Sequence, residues 1–338
     1  MDAEPALRRL LDYLDGEPSP GDGQWMGWRI RRIGGGRNNL LYRATGQAGD
    51  VAIKFTRDDG RDRAGHEYLA LSALHRAGLD VAPRPLFLDR TTYRRPVVVQ
   101  GWLPGEVGRL PRTDEEWEGM VRHLVEVHRV TPEVTTVPLP PCAIDVRTAR
   151  QGQAVVGRQL ALLPADAQLR PLRALVRDLE AVHFPEWPPA PVTLCRLDNN
   201  IANYIRPPGR CPGAWASVDW EYSGWGDPAF DVANLVTHVA LKDVPAGRRD
   251  WFVERYCVLV EDETARLRIG VYRQVMLAWW PVRLARYLVE IPAGRDARLA
   301  AWPEGWRADI EAKYEHYLRL AGSRKVDRFP APRQAGRP

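Results

Sequence analysis

The sequence predicts an α+β chain of two lobes, a small antiparallel β-rich lobe followed by a larger, mostly helical one. Three observations carry this reading. The chain has 338 residues, more than one simple core accommodates. Its texture changes near residues 100–106, with short β-like runs before and long helical patterns after. Two apolar runs of the second half also break into oxygen-rich loops, "RLDNNIAN" and "VDWEYSGWGDPAFD".

In chain order, residues 1–24 read as a short acidic-capped helix and a turn-rich linker. Residues 25–103 hold "WRIRRI", "LLYRAT", "VAIKFT" and "PVVVQGW", strand-like runs separated by Gly and Asp turns. One helix interrupts them, "RAGHEYLALSALHRAGL", with Leu69, Ala73, Leu74 and Ala77 at helical spacing. Residues 104–328 carry the helical patterns "DEEWEGMVRHLVEVHRV", "QLRPLRALVRDLEAV", "FDVANLVTHVAL", "DWFVERYCVLVEDETARL" and "VYRQVMLAWWPVRLARYLV". Pro281 cuts the last pattern and begins a new turn. A strand-turn-strand unit around Asp198 lies between the helices, and Asp219 ends a further apolar strand. The Pro- and Arg-biased tail, 329–338, reads as disordered.

Composition narrows the function classes. No apolar run approaches the roughly 18 residues of a membrane span, no secretory signal opens the chain, and cytoplasm is the default expectation. Cys142, Cys195, Cys211 and Cys257 lie far apart without CxxC or His-pair spacing, so they read as ordinary thiols. The net charge of +5 permits nucleic-acid binding, but the arginines are scattered. The densest cluster, "RIRRIGGGR", alternates with apolar residues and reads as the wet face of an edge strand. The sequence is silent on oligomeric state.

The motifs point to phosphate chemistry when taken together. Gly34, Gly35 and Gly36 between two strands let backbone N–H groups approach an anion, although a glycine run alone is a plain turn. Lys54 lies inside an apolar strand, where an inward ammonium needs a counter-charge, and Glu67 on the following helix offers one. Asp198 suits the carboxylate that orients an attacking hydroxyl, and Asn203 and Asp219 suit oxygen ligands for Mg2+. Each has a bland reading, an Asx turn for the first two and a strand-end cap for Asp219. The order of glycine loop, Lys, Glu, Asp-Asn loop and Asp is what singles them out.

With these residues in place, the sequence resembles the aminoglycoside phosphotransferase and choline kinase-like family, small-molecule kinases of the protein-kinase-like bilobal fold. The resemblance runs from about Trp28 to His238. The family's G-G-x-x-N-x-x-Y loop is matched by Gly35, Gly36, Asn39 and Tyr42, its strand Lys by Lys54 and its helix Glu by Glu67. Its lobe connector, whose backbone pairs with the base, corresponds to Val99, Gln100 and Trp102. Leu124 and His128 match Leu-x-x-x-His. H-x-D-x-x-x-x-N is matched at Asp198 and Asn203, and the metal strand with G-D-P-x-x-D-x-A at Asp219, Asp227 and Asp231, the last two as structural carboxylates. Arg196 stands where the family has His, and is expected to brace the loop by pairing with Asp219 or Asp227, or else to enter the pocket and bind an anion.

The resemblance implies a kinase using ATP, with GTP as a further donor, and Mg2+, phosphorylating a hydroxyl of an antibiotic or metabolite. A non-catalytic nucleotide-binding relative and a nucleic-acid-binding protein are the alternatives. Basic residues outnumber acidic ones from Val236 onward, which tells against a polycationic acceptor. Glu221 and a helical face of Trp279, Arg283 and Arg286 are candidate acceptor contacts.

Overall fold

The computed structural model describes residues 3–16, 19–34, 39–47, 49–209, 213–295, 299 and 302–322. Gly35, Gly36, Cys211 and the tail 329–338 lie outside the described residues.

The small lobe is an antiparallel sheet flanked by two helices, α1 (Ala3–Leu14) and α2 (Arg63–Arg76). Its strands are β1 (Gly23–Trp25), β2 (Trp28–Ile33), β3 (Asn39–Gly46), β4 (Gly49–Thr56), β5 (Pro85–Asp89) and β6 (Val97–Gly101), in the order β1-β2-β3-β4-β6-β5. Residues at alternate positions share a face. The register sets Leu41 opposite Lys54 and Lys54 opposite Val98, so these three look toward the cleft side. On the other face Ile30, Tyr42, Ile53, Phe55 and Val99 form a core with Leu10, Leu11 and Leu14 of α1. The 1–24 segment is therefore no separate linker: its leucines recur at helical spacing, and the helix closes the back of the sheet. The arginine-rich strand β2 is internal, covered at its edge by β1, although Arg29, Arg31 and Arg32 do face solvent.

The large lobe contains β7 (Glu106–Val107), α3 (Asp114–His128), α4 (Ala149–Ala161), α5 (Arg170–Glu180), β8 (Thr193–Cys195), β9 (Tyr204–Arg206), β10 (Ala216–Ser217), β11 (Gly224–Gly226), α6 (Pro228–Thr237), α7 (Ala246–Leu259), α8 (Ala265–Glu290) and α9 (Trp306–Gly322). The strands flanking the Asp198 loop are not partners of each other. β8 pairs with β11, whereas β9 pairs with β10 and β7. The loop is thus suspended between two small sheets, and β10 brings Asp219 alongside it.

Two helices go beyond the sequence expectation. α4 begins with a capping box, the Thr148 hydroxyl accepting from the Gln151 N–H while the Gln151 side chain returns to the Thr148 N–H. α9 follows a Pro-Gly stretch and shows only scattered burial. The helical pattern across Pro281 is one helix, α8, which runs through it for 26 residues. Proline removes one helical hydrogen bond, but Trp280, Pro281, Val282, Leu284 and Ala285 are buried, and this packing offsets the loss. The pattern at residues 250–267 instead splits into two helices where the Asp262 carboxylate accepts from the Thr264 N–H at 3.0 Å and its hydroxyl at 2.9 Å.

Candidate active site

Asp231, fully buried on α6, organises the loop around Asp198. Its carboxylate accepts the backbone N–H groups of Arg196 and Leu197, each at 2.9 Å, and the Asn199 amide at 2.6 Å. His128 at the end of α3 adds a contact of 3.1 Å and lies 2.8 Å from the Tyr256 hydroxyl through its other nitrogen. Tyr204 donates to the Asn199 side-chain oxygen at 2.8 Å. These bonds hold Leu197 in the left-handed region, φ 60°, a conformation disfavoured for leucine. The turn this enforces leaves the neighbouring Asp198 half-buried.

Asn203 donates its amide N–H to the Asp198 carbonyl at 3.3 Å, which turns its amide oxygen the other way. Its own carbonyl accepts from Val218 N–H at 2.9 Å, so the residue before Asp219 is fastened to Asn203. Asp219 is also left-handed, φ 65°. Burial first, and then the neighbouring Asp219 charge, pushes the Asp198 carboxyl up to about 6, with Arg196 acting in the opposite sense.

Lys54 reaches this cluster from β4. Its ammonium lies 2.5 Å from Glu67 of α2, contacts Asp219, and is 3.9 Å from Glu221. Burial works against its charge, but Asp219, Glu67 and Glu221 outweigh burial and hold the ammonium well above its ordinary range. Glu221 has Arg63 as its closer cation, at 2.5 Å, so Lys54 is shared chiefly by Glu67 and Asp219. Asp219 and the Asn203 amide oxygen are hard oxygen donors of the kind that suits a divalent cation.

The other phosphate-loop and connector residues have definite surroundings. Gly34 ends β2 in open space, where an added Cβ meets nothing within 4 Å. Buried Asn39 donates to Glu221 at 3.0 Å. The Val99 side chain faces the core beside α1, so only its backbone remains for a ligand. Buried Gln100 lies on the Lys54 face, and its carbonyl oxygen has no partner among the described residues. Trp102 carries the Arg43 guanidinium 4.7 Å from its ring and donates its N–H to the Asp50 carbonyl at 2.9 Å.

A sequence profile described as the "Phosphotransferase enzyme family" matches residues 29–269. The chain belongs to this family. Solved structures carry the same fold across nearly the whole phosphotransferase chain. A choline/ethanolamine kinase family protein from Mesorhizobium loti is 18% identical, with 94% of this chain and 98% of that chain covered and a TM-score of 0.58. A spectinomycin phosphotransferase in complex with ADP and spectinomycin is 12% identical over 94% and 98% of the two chains, TM-score 0.58. An APH(2″) protein in complex with GDP and kanamycin is 13% identical over 93% and 99%, TM-score 0.60. No curated protein sequence matches. The small sheet lobe and helical lobe are therefore the kinase-like arrangement of phosphotransferases.

Several positions in this phosphotransferase differ from the sequence expectation. Arg196 pairs with neither Asp219 nor Asp227. It is fully buried, donating to the Val218 carbonyl at 2.8 Å and lying between the rings of Tyr204 and Trp220. Its side chain is turned inward, with two aromatic faces and the Val218 carbonyl as its partners. Asp227 is taken by Arg268 through two bonds of 3.0 Å, by the Tyr272 hydroxyl at 2.9 Å and by the Ala229 N–H that it caps at 2.8 Å.

The four candidate acceptor contacts are engaged elsewhere. Glu221 is buried, bound by Arg63 at 2.5 Å as well as by Asn39. Arg286 donates to Glu290 at 2.7 Å and to Gln159 of α4 at 2.5 Å. Arg283 lies over the Tyr287 ring at 4.1 Å and 3.7 Å from Glu290. Trp279 packs among the apolar side chains of the large lobe. Sequence reading missed Arg63, whose only local signal is Asp59 four residues earlier, and Arg268, 41 residues from its Asp227 partner with no local signal.

Proposed function

We propose that this phosphotransferase is an ATP- and Mg2+-dependent small-molecule kinase that moves the γ-phosphoryl group to a hydroxyl of an antibiotic or metabolite. The observation that carries this is the convergence of Lys54, Asp219, Asn203 and Asp198, drawn from both lobes onto one cleft. Lys54, held by Glu67, presents a fixed ammonium to the phosphate oxygens, and Glu221 seats Asn39 at the end of the phosphate loop. Asp198 receives the acceptor hydroxyl and takes up its proton as the new O–P bond forms and the bond from the γ-phosphorus to the β,γ-bridging oxygen breaks, with ADP leaving. Asn203 and Asp219 would hold Mg2+, whose chemistry there is to neutralise charge on the phosphate oxygens. A carboxylate is a weak base, yet orientation and charge neutralisation dominate in a loose phosphoryl-transfer transition state.

The non-catalytic alternative takes Arg196, in place of the family's His, as the mark of a lost active site. The buried position of that side chain favours the catalytic reading. The test incubates the protein with ATP, Mg2+ and a panel of alcohols and looks for a mass gain of one phosphoryl group. Turnover is expected with at least one alcohol, and Asp198→Ala and Asp219→Ala are expected to lose at least about a hundredfold in kcat while remaining folded. Wild-type rates in either variant would refute the assignment. GTP in place of ATP tests the donor.

A further inference from the structure

The guanidinium of Arg196 occupies a position no imidazole could fill in the same way. One of its nitrogens donates to the Val218 carbonyl at 2.8 Å and makes a longer contact of 3.4 Å with the Asp198 carbonyl. Val218 directly precedes Asp219, so a single side chain ties the backbone of the proposed base to that of the proposed metal carboxylate. Both segments are in the left-handed region, which leucine disfavours at Leu197 and which aspartate tolerates at Asp219. The guanidinium cannot slide, because the Tyr204 and Trp220 rings lie on it at 4.8 Å each. Its remaining groups, Nε and Nη1, are buried without partners among the described residues. Burying two nitrogens with idle N–H groups is costly, so the cation is tolerated here against a penalty rather than for its bonds. Nor is the charge shared with a neighbouring imidazole: His123, against Tyr204, is pushed down to about 3 by burial first and Arg196 second.

We propose that Arg196 is a positioning residue which clamps the Asp198 loop to the Asp219 strand and thereby sets the spacing of the oxygens that receive a divalent cation and the acceptor hydroxyl. The inference rests on the phosphoryl-transfer reading for its purpose, but its test does not need turnover. Mn2+ is titrated by electron paramagnetic resonance into wild type, Arg196→Lys and Arg196→Met in the presence of a non-hydrolysable ATP analogue, and analogue affinity is measured without metal. Lysine keeps the charge but lacks the planar guanidinium that the Tyr204 and Trp220 rings lie against.

Both variants are expected to bind Mn2+ about 10–100-fold more weakly, with metal-free analogue affinity unchanged. Guanidinium ion is expected to restore part of the loss in Arg196→Met and none in Arg196→Lys. A folded variant with wild-type Mn2+ affinity overturns the proposal. If only Arg196→Met fails to fold, Arg196→Lys decides; if both fail, the residue belongs to folding alone and the proposal falls. Wild type that binds Mn2+ as expected but phosphorylates no alcohol would overturn the phosphoryl-transfer reading and leave the clamp standing.

Discussion

Asp231 shows how one buried charge shapes a functional loop. It accepts two backbone N–H groups and an amide and contacts His128, so removing it strands all of them. Asp231→Ala is expected to cost about 3–5 kcal/mol, read from the shift in urea midpoint. The His128 partner gives this brace a pH dependence. Burial opposes the imidazolium charge, but the Asp231 hydrogen bond and then Cys195 outweigh it, raising His128 from 6.5 to about 9. A group raised on folding stabilises fully below its unfolded value, and the contribution fades as pH climbs through the folded one. Thermal midpoints of wild type are therefore expected to fall between pH 6.5 and 9 more steeply than those of His128→Gln; parallel curves would remove His128 from the brace. His128, Cys195 and Asp231 also bring their ligand atoms within 4.8 Å of one another, but the His128–Asp231 bond already accounts for that closeness.

Helix α1 makes the same kind of contribution through packing. Leu10, Leu11 and Leu14 are at most 1% exposed and cover the sheet face opposite Lys54. Leu11→Ala is expected to cost about 2–5 kcal/mol in a denaturant melt, and deletion of residues 1–16 to expose Phe55 and Tyr42 as dye-binding apolar surface. A trimmed protein that melts like wild type would show that the sheet stands alone. Elements with an apolar spacing or a strand-like run of their own, such as α2, α3, α6, β2, β3, β4 and β6, were legible in the sequence; β5 was not. α4 announced itself only by Thr148 and Gln151, and the continuity of α8 past Pro281 depends on partners distant in sequence. Burial of that kind overrides a local breaker and leaves no local signature.

Across the whole molecule the two lobes meet through an apolar cluster, Leu71, Leu74 and Val81 against Val127, Leu194 and Trp220, and through charge. Lys54 contacts Asp219, and Arg63 and Asn39 bind Glu221, so the small lobe is fastened to the two carboxylates of the "DWE" segment that follows β10. Arg63→Met leaves Glu221 buried without its guanidinium, and is expected to lower the thermal midpoint markedly while Glu221→Gln in the same background recovers part of it. No recovery would mean that the two residues are not coupled. The chemical candidates Lys54, Glu67, Asp198, Asn203 and Asp219 were legible because residue type and chain order constrain them. Glu221 and Arg196 were not. Whether a carboxylate faces a ligand or a guanidinium of the other lobe, or whether an arginine turns toward a cleft or between two rings, is fixed by neighbours far away in the chain.

The contact of Lys54 with Asp219 also bears on the thermodynamics of the cleft. Under the proposed function, a polyphosphate that takes up the ammonium would compete with the carboxylate, so donor binding would be in part an exchange of one anion for another. A divalent cation that neutralises Asp219 removes the competitor. Donor and cation are then linked by a favourable coupling free energy that is the same whichever binds first. That reciprocity can be measured as equal shifts in the two dissociation constants, and in Lys54→Met the part of the coupling due to this competition is expected to vanish.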